Sequence, residues 1–357
     1  MRRGHSVEIA VLDDPTAPWI QGYDLPVHAL GPGLTTYGYS PVLTKWLNNH
    51  GGNYDRVIVN GLWQYPGYAV WRRFAGTAIP YYVFPHGMLD PWFKRTYPLK
   101  HLKKWLYWPW AEYRVMRDAT SVIFTSEQER DEARESFWLY RVLERVSSLG
   151  VEEPAPYSSA IKDKLFQRFP QLRDTRPLLF LGRLHPKKGC DLAIEAVAAV
   201  SKRNPHISLV MGGPDQIGWK EKLADRAQQL GINSRIVFTG MLDGELKQSA
   251  LMNADALILP SHQENFGMAV VEAMAMGVPV LISDRINISS DIAVDRAGYV
   301  ATDDLAGTTS LIERWSKTPE SEKEAMRRNA RECFLRRYEI NQAVDSLLKI
   351  LSESVGS

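Results

Sequence analysis

Short apolar runs and longer amphipathic stretches alternate along the whole chain, and Gly, Pro or Asp closes most of the runs. That alternation predicts β–α repeats rather than a helical bundle or an all-β fold. In the first half, strands are expected at Val7–Leu12, Arg56–Asn60, Ile79–Phe84 and Ser121–Thr125, the last taken as the final strand of that half. Helices are expected near Pro41–Asn49 and Gly67–Ala75, and after Ser126, where Glu129 stands three residues beyond a serine as in a capping box. Residues 15–40 are rich in Pro, Gly and Tyr and read as loop. In the second half, strands are expected at Pro177–Leu181, Ser208–Met211, Arg235–Thr239, Ala256–Leu259, Val278–Ser283 and Gly298–Val300, with helices between them. Helices also fill 304–317 and 320–337. Glu339–Ser352 is amphipathic, with Ala343, Leu347, Leu348 and Leu351 on one face.

The most sharply patterned stretch is Asp255–Asp284. Its first strand stops at Pro260, a polar loop runs from Ser261 to Asn265, and a small-residue apolar helix follows from Phe266 to Met276. Gly277 stands where a helix end wants a residue free to take positive φ, and Pro279 blocks continuation. A helix that starts just beyond a parallel strand's carboxyl end collects phosphate, because its unpaired N–H groups and dipole favour negative charge. Two carboxylates sit in this unit. Glu264 in the loop can reach a ligand on the helix N-terminus, whereas Glu272 lies among Ala, Val and Met, where a carboxylate needs a partner.

A length of 357 residues suits two domains, each with its own core. The expected division is an N-terminal domain over 1–151, a Pro-rich linker over 152–174, a second domain over 175–335 and a closing helix in 336–357. A formal charge of +2 and a pI near 8.4 are too balanced to argue for nucleic acid. Cys190 and Cys333 are the only cysteines and make no disulfide framework, so a cytoplasmic, reducing compartment is expected. No apolar run approaches the roughly 18–20 residues that span a bilayer, and no signal-peptide core follows the basic start.

Two further constellations carry chemistry. The strand ending at Leu181 runs into Gly182-Arg183-Leu184-His185-Pro186-Lys187-Lys188-Gly189 and then a helix. Strand, glycine, two spaced cations, glycine and helix are how a diphosphate is held, since Arg183 can bind two oxygens at once and Lys188 adds a compact charge; a basic surface turn is the alternative. His86-Gly87 follows the strand ending at Phe84. Glycine lets backbone approach a ligand there, and an imidazole can hydrogen-bond a sugar hydroxyl. Gly212-Gly213-Pro214 is a turn of the same kind.

Glu264 and Glu272, with Phe266-Gly267 between them and EAMAMGVPV following, together with Gly182-Arg183 and Lys188-Gly189, resemble the retaining GT-B glycosyltransferases of family 4. The resemblance implies an α/β fold of two Rossmann-like domains facing across a cleft, and transfer of a sugar from a nucleoside diphosphate sugar, UDP-sugar before GDP-sugar, with no cofactor and no metal. It implies that Arg183 and Lys188 stabilise the leaving diphosphate. Glu264, with Gly182, Gly213, Asn265 and the amides of Phe266, Gly267 and Met268, would hold the donor, while Glu272 binds the ribose. Leu242, by position, would frame the base, and His86 would face the sugar from the other domain. The acceptor implied is a glycan or lipid-linked glycan hydroxyl in polysaccharide biosynthesis. RRGHSVEIAVLDDP resembles the end of the family's first helix and second strand, and the family's preceding strand and Gly-rich loop are expected to be missing.

Residues 92–117 are basic and tryptophan-rich: Lys94, Arg95, Lys100, Lys103, Lys104, Arg114 and Arg117 face a single acid, Glu112. Either the aromatics are core and the lysines solvated, or the stretch is a peripheral patch for anionic lipid or a lipid-diphosphate acceptor. Two alternatives to a transferase also stand: a GT-B nucleotide-sugar epimerase, and an inactive nucleotide-sugar-binding protein.

Overall fold

The computed structural model describes residues 3–96 and 98–353, and for Phe93, Arg95 and Lys100 the backbone alone; the expectations for Arg95 and Lys100 therefore lie outside the described side chains. Among the described residues the strands form sheets of two, four and six strands. The chain divides into two compact units, Met1–Ser147 with Leu348–Ser357, and Ser148–Leu347.

In the first unit β1 (Ile9–Val11) pairs in parallel with β2 (Val27–Ala29). The larger sheet runs in chain order through β3 (Val57–Asn60), β4 (Tyr81–Phe84), β5 (Ser121–Phe124) and β6 (Glu144–Val146), all parallel. Both β4 and β5 are buried along their whole length, as continuous apolar runs in parallel sheets are. Ser40 caps the Pro41–His50 helix by accepting from Leu43 N, with proline in the first turn where no donor is lost. Two expectations are corrected. Residues 15–40 hold β2, and Ser121–Thr125 is not the last strand, because β6 follows it. Each missed strand is three half-buried residues long, too short to show a period in the sequence.

The second unit has six parallel strands: β7 (Arg176–Leu181), β8 (Ile207–Gly212), β9 (Ile236–Gly240), β10 (Ala256–Leu259), β11 (Val280–Ser283) and β12 (Gly298–Ala301). Their spatial order is β12-β11-β10-β7-β8-β9, the doubly wound order whose direction reverses between its first and fourth strands. The Cys190–Ser201 helix packs with Trp219–Gln229 and Leu305–Lys317, while Met268–Ala275 packs with Glu320–Arg337, giving a helical layer on each face. The two units are thus Rossmann-like α/β folds, as GT-B requires.

The stretch expected as linker, 152–174, contains the short helices Ser159–Lys162 and Lys164–Arg168, and Leu165 and Leu172 are buried in the second core. The cause is long-range: Ser249 Oγ and Asn253 Nδ2 both donate to the Lys162 carbonyl. The helix expected from Phe266 starts at Met268, because Gly267 takes φ +78° and cannot belong to it. Gly277 takes φ +69° after that helix ends, as its position demands. The Ile340–Glu353 helix ends within the first unit, where Arg56 Nε and Tyr82 OH donate to the Leu351 carbonyl.

Asp295, just before β12, ties the Glu320–Arg337 helix to the sheet through Arg336 and Arg337. Burial pushes its carboxyl up, but hydrogen bonds from Arg337 and Arg336 outweigh that and hold it well below the usual range. A depressed carboxylate contributes stability above its unfolded value of about 4 and loses it as pH falls through the folded value. Asp295→Asn should therefore cost about 1.5–3 kcal/mol at pH 7, with the difference closing in acid. Urea melts at pH 7 and pH 3 check this, and an equal gap at both would remove the ionic explanation.

Candidate functional site

The order reversal between β7 and β10 opens a crevice at their carboxyl ends, where the helices that follow leave to opposite faces. Both patterned loops emerge there. After β7, Gly182 N donates to Gly212 O, and the chain enters a short 3-10 turn, Pro186–Lys188, capped by His185 Nδ1 accepting from Lys187 N. Gly189 then takes φ +65°, and a Cβ on it would stand 2.2 Å from the Pro260 carbonyl oxygen at the end of β10. The cation loop thus lies directly against the neighbouring loop, and His262 N donates to Lys187 O at 2.9 Å.

This packing brings Lys188 and Glu264 into contact: the ammonium donates to Glu264 Oε2. Both side chains are mostly buried. Burial, with Lys187 and Arg183 adding like charge, pulls the Lys188 ammonium down to about 8. Arg183 is exposed, held only by a long 3.4 Å hydrogen bond to Gln216 Oε1, so its guanidinium is available to a ligand. The Glu264 backbone is clamped on both sides, with its N–H donating to Arg285 O and its carbonyl accepting from Asn287 N.

Beyond Glu264, Phe266 is buried edge-on to Tyr338, and Gly267 stands as N-cap with no side chain to satisfy the first turn. The first amides of the Met268–Ala275 helix have no intrahelical acceptor, and Phe266 and Gly267 lie just before it. Asn265 lies between these groups, half-buried. Gly213 is held by its N–H to Gly240 O, and a Cβ on it would meet the Gly182 carbonyl at 1.9 Å. Leu242 packs on this turn, since a Cβ on Gly212 would stand 2.6 Å from its Cδ1.

Glu272 has the partner that its apolar surroundings demand: Lys247 Nζ donates to Oε1 at 2.6 Å. The carboxylate is half-buried rather than sealed, so it keeps an open side. Lys247 escapes a reading of the sequence because it lies on the preceding helix, 25 residues away. Gln263 and Asn287 also escape it. They are 5% and 3% exposed, and among the described residues Gln263 Oε1 and Asn287 Nδ2 have no hydrogen-bond partner. Buried polar atoms of that kind mark a place built for a ligand or water.

His86, in the first unit, takes φ +50° in the turn after β4. Its Nε2 lies 2.9 Å from Asn60 Oδ1, an acceptor, so the proton sits on Nε2 and Nδ1 is left to accept. Burial lowers its pKa, with Glu129 opposing, so the ring is neutral at pH 7. The turn is pinned by Glu129, which is 4% exposed. One carboxylate oxygen accepts from Gly87 N at 2.6 Å and the other from Thr125 N and Oγ1. The expected capping box is therefore half made: Ser126 Oγ accepts from Glu129 N, but the Glu129 carboxylate turns to the His86 loop. Nearby Trp63, at φ +71°, donates its N–H to the buried Glu112, whose carboxyl burial pushes up to about 7.

The basic stretch divides its aromatics. Trp108 is fully buried and stacked on Phe137, while Trp105 and Trp110 are exposed, as are Leu99, Leu102 and Leu106 on the Pro98–Tyr107 helix. No helix among the described residues is long and apolar enough to cross a membrane.

The family described as glycosyl transferases group 1 matches residues 162–333, and a glycosyl transferase 4-like domain matches residues 1–146. The alpha-D-kanosaminyltransferase of Streptomyces kanamyceticus is 28% identical over 68% of this chain and 63% of its own length. A D-inositol 3-phosphate glycosyltransferase of Gordonia bronchialis is 31% identical over 50% of this chain and 40% of its own. The chain thus spans less than two thirds of either relative. Among solved structures, Anabaena HepE in complex with UDP aligns at a TM-score of 0.79 and 18% identity, covering 97% of this chain and 92% of that one. Sucrose-phosphate synthase from Thermosynechococcus elongatus aligns at 0.77 and 19%, covering 99% and 90%. At such identities these likenesses establish the fold.

If Glu129 holds the His86 turn, Glu129→Ala strands two buried backbone N–H groups and should cost about 2–4 kcal/mol in stability. Glu129→Gln keeps an acceptor but removes the charge that raises His86, so the His86 pKa should fall further. Histidine NMR titration reads this directly, and an unmoved His86 pKa in Glu129→Gln would dissolve the link.

Proposed function

Because this chain belongs to the glycosyl transferases of group 1, we propose that it moves a sugar, with retention, from a nucleoside diphosphate sugar to a hydroxyl of a glycan or lipid-linked glycan. The observation that carries this reading is the meeting of Lys188 with Glu264 at the β7–β10 crevice, beside an exposed Arg183. One set of loops there offers two cations for a diphosphate and a carboxylate for the sugar attached to it.

In this reading Arg183 and Lys188 take up the charge that develops on the diphosphate as the bond from the anomeric carbon to phosphate oxygen breaks. Glu264 hydrogen-bonds the sugar hydroxyls and fixes the ring, and Glu272, oriented by Lys247, accepts from the ribose hydroxyls. The acceptor oxygen bonds to the anomeric carbon from the side the diphosphate leaves, and its proton passes to the departing phosphate oxygen. UDP is the favoured nucleotide, and the presence of UDP in the HepE structure of like fold supports that choice.

Calorimetry against UDP, GDP, ADP and their sugars tests the donor site. One nucleotide should bind tightly, and Arg183→Ala should weaken it by about 2–4 kcal/mol, the scale of a charge-assisted pair. Affinity should also fall as pH rises past about 8 and Lys188 loses its proton, a slope that Lys188→Gln should flatten. Release of nucleoside diphosphate that depends on an added acceptor separates a transferase from an epimerase or an inactive binder. Binding to none of the nucleotides would end the transferase reading.

The exposed Leu99, Leu102, Trp105, Leu106 and Trp110, with Lys103 beside them, support a peripheral contact with an anionic membrane surface carrying the acceptor. Sedimentation with phosphatidylglycerol vesicles should exceed that with neutral vesicles several-fold, and Leu102→Glu with Leu106→Glu should abolish the difference. Equal sedimentation with both would exclude a lipid role for this patch.

A further inference from the structure

At the amino ends of β7, β8 and β10, the end of the sheet away from Arg183 and Lys188, a half-open cavity of about 210 Å³ is lined by Arg176, Arg203, His206, Asp255, Trp315 and Lys323, among others. Water occupies about 30 Å³ in the liquid, so this cavity has room for a polyatomic ion. Lys323 is 1% exposed, and its ammonium stands over the Trp315 ring at 4.4 Å. Among the described residues its side chain makes no hydrogen bond and no ion pair.

The acids that face it are already engaged. Asp255 accepts from Arg176 Nη2 at 3.1 Å and Trp315 Nε1 at 2.8 Å, with Arg327 at 3.7 Å. Glu320 is held by Arg327 at 2.8 Å and lies 3.5 Å from Arg176. Arg203 is paired only at the surface, with Glu313. Lys323 also occupies the first turn of the Glu320–Arg337 helix, where the helix dipole disfavours a cation and favours an anion. Asp255 and Glu320 act on Lys323 only through space, both being bonded to arginines, and a buried cation with no direct ion pair is costly. The first turn already carries Glu320 and Glu322, so the ammonium that no acid contacts directly is the group a bound anion would answer.

We propose that this cavity binds a small oxyanion of the phosphate class, with Lys323 as its central ligand and Arg176 and Arg203 at its rim. The ligand is either free phosphate or the phosphate group of a small metabolite. The site is separate from the donor loops and goes beyond the transferase reading, so it stands or falls without it.

The donor loops also attract phosphate, so the test uses the Arg183→Ala, Lys188→Gln double variant as its background. Calorimetry at constant ionic strength, with inorganic phosphate in one arm and glycerol 3-phosphate in the other, should show binding that survives in this background. Adding Lys323→Met, which keeps the aliphatic stem, should weaken it at least tenfold. Binding of phosphate alone identifies the free ion as ligand, and binding of both identifies a phosphomonoester site. Should Lys323→Met fail to fold, the largely exposed Arg203→Gln carries the same test, with a threefold loss expected. The proposal is overturned if the double variant binds no phosphate, or if binding is undiminished by whichever of these substitutions is tested.

Discussion

Everything at the carboxyl end of the second unit's sheet depends on β7 and β10 lying side by side while the helices that follow them go to opposite faces. A sheet wound in one direction would separate these loops. The reversal leaves them adjacent, and Gly189 closes the remaining distance by setting its backbone against the Pro260 carbonyl. Only after that approach can Lys188 reach Glu264, two residues 76 positions apart in sequence. The chemistry of the crevice thus follows from strand order and from one residue without a side chain.

The second unit was largely legible in the sequence because its signals are local. Gly-rich turns, a strand stopped by Pro260 and a glycine past a helix end all lie within a few residues of what they control. The first unit was less legible. Its β2 and β6 draw their stability from pairing with β1 and β5 and leave no period of their own. The site divides in the same way. Arg183, Lys188, Glu264 and Glu272 follow from spacing, whereas Lys247 against Glu272 and Glu129 against Gly87 join elements that no local pattern connects. The serine three residues before Glu129 suggested a capping box; its serine half forms, but Gly87 N on the loop after β4, with Thr125 N and Oγ1 just before the helix, takes the carboxylate instead.

The two units treat their glutamates alike. In each, a carboxylate at least partly withdrawn from water is matched to a donor on another chain segment: Glu129 and Glu112 to loop amides in the first, the half-buried Glu272 to Lys247 on the preceding helix in the second. Each acts as a brace between chain segments that hydrophobic packing alone would leave free to slide. The cost of burying charge is offset where several donors converge on one carboxylate, and Glu129, with three, is the fullest case.

Glu264 is held differently, by its main chain as well as its side chain. Its N–H and carbonyl are both bonded to the segment just after β11, at Arg285 and Asn287, in a bridge of the kind that joins strands. A carboxylate so anchored cannot be retuned by altering its own loop without disturbing the next one. Residues 285–287 are therefore a lever on the position of Glu264, and moving that carboxylate means varying the two loops as a pair.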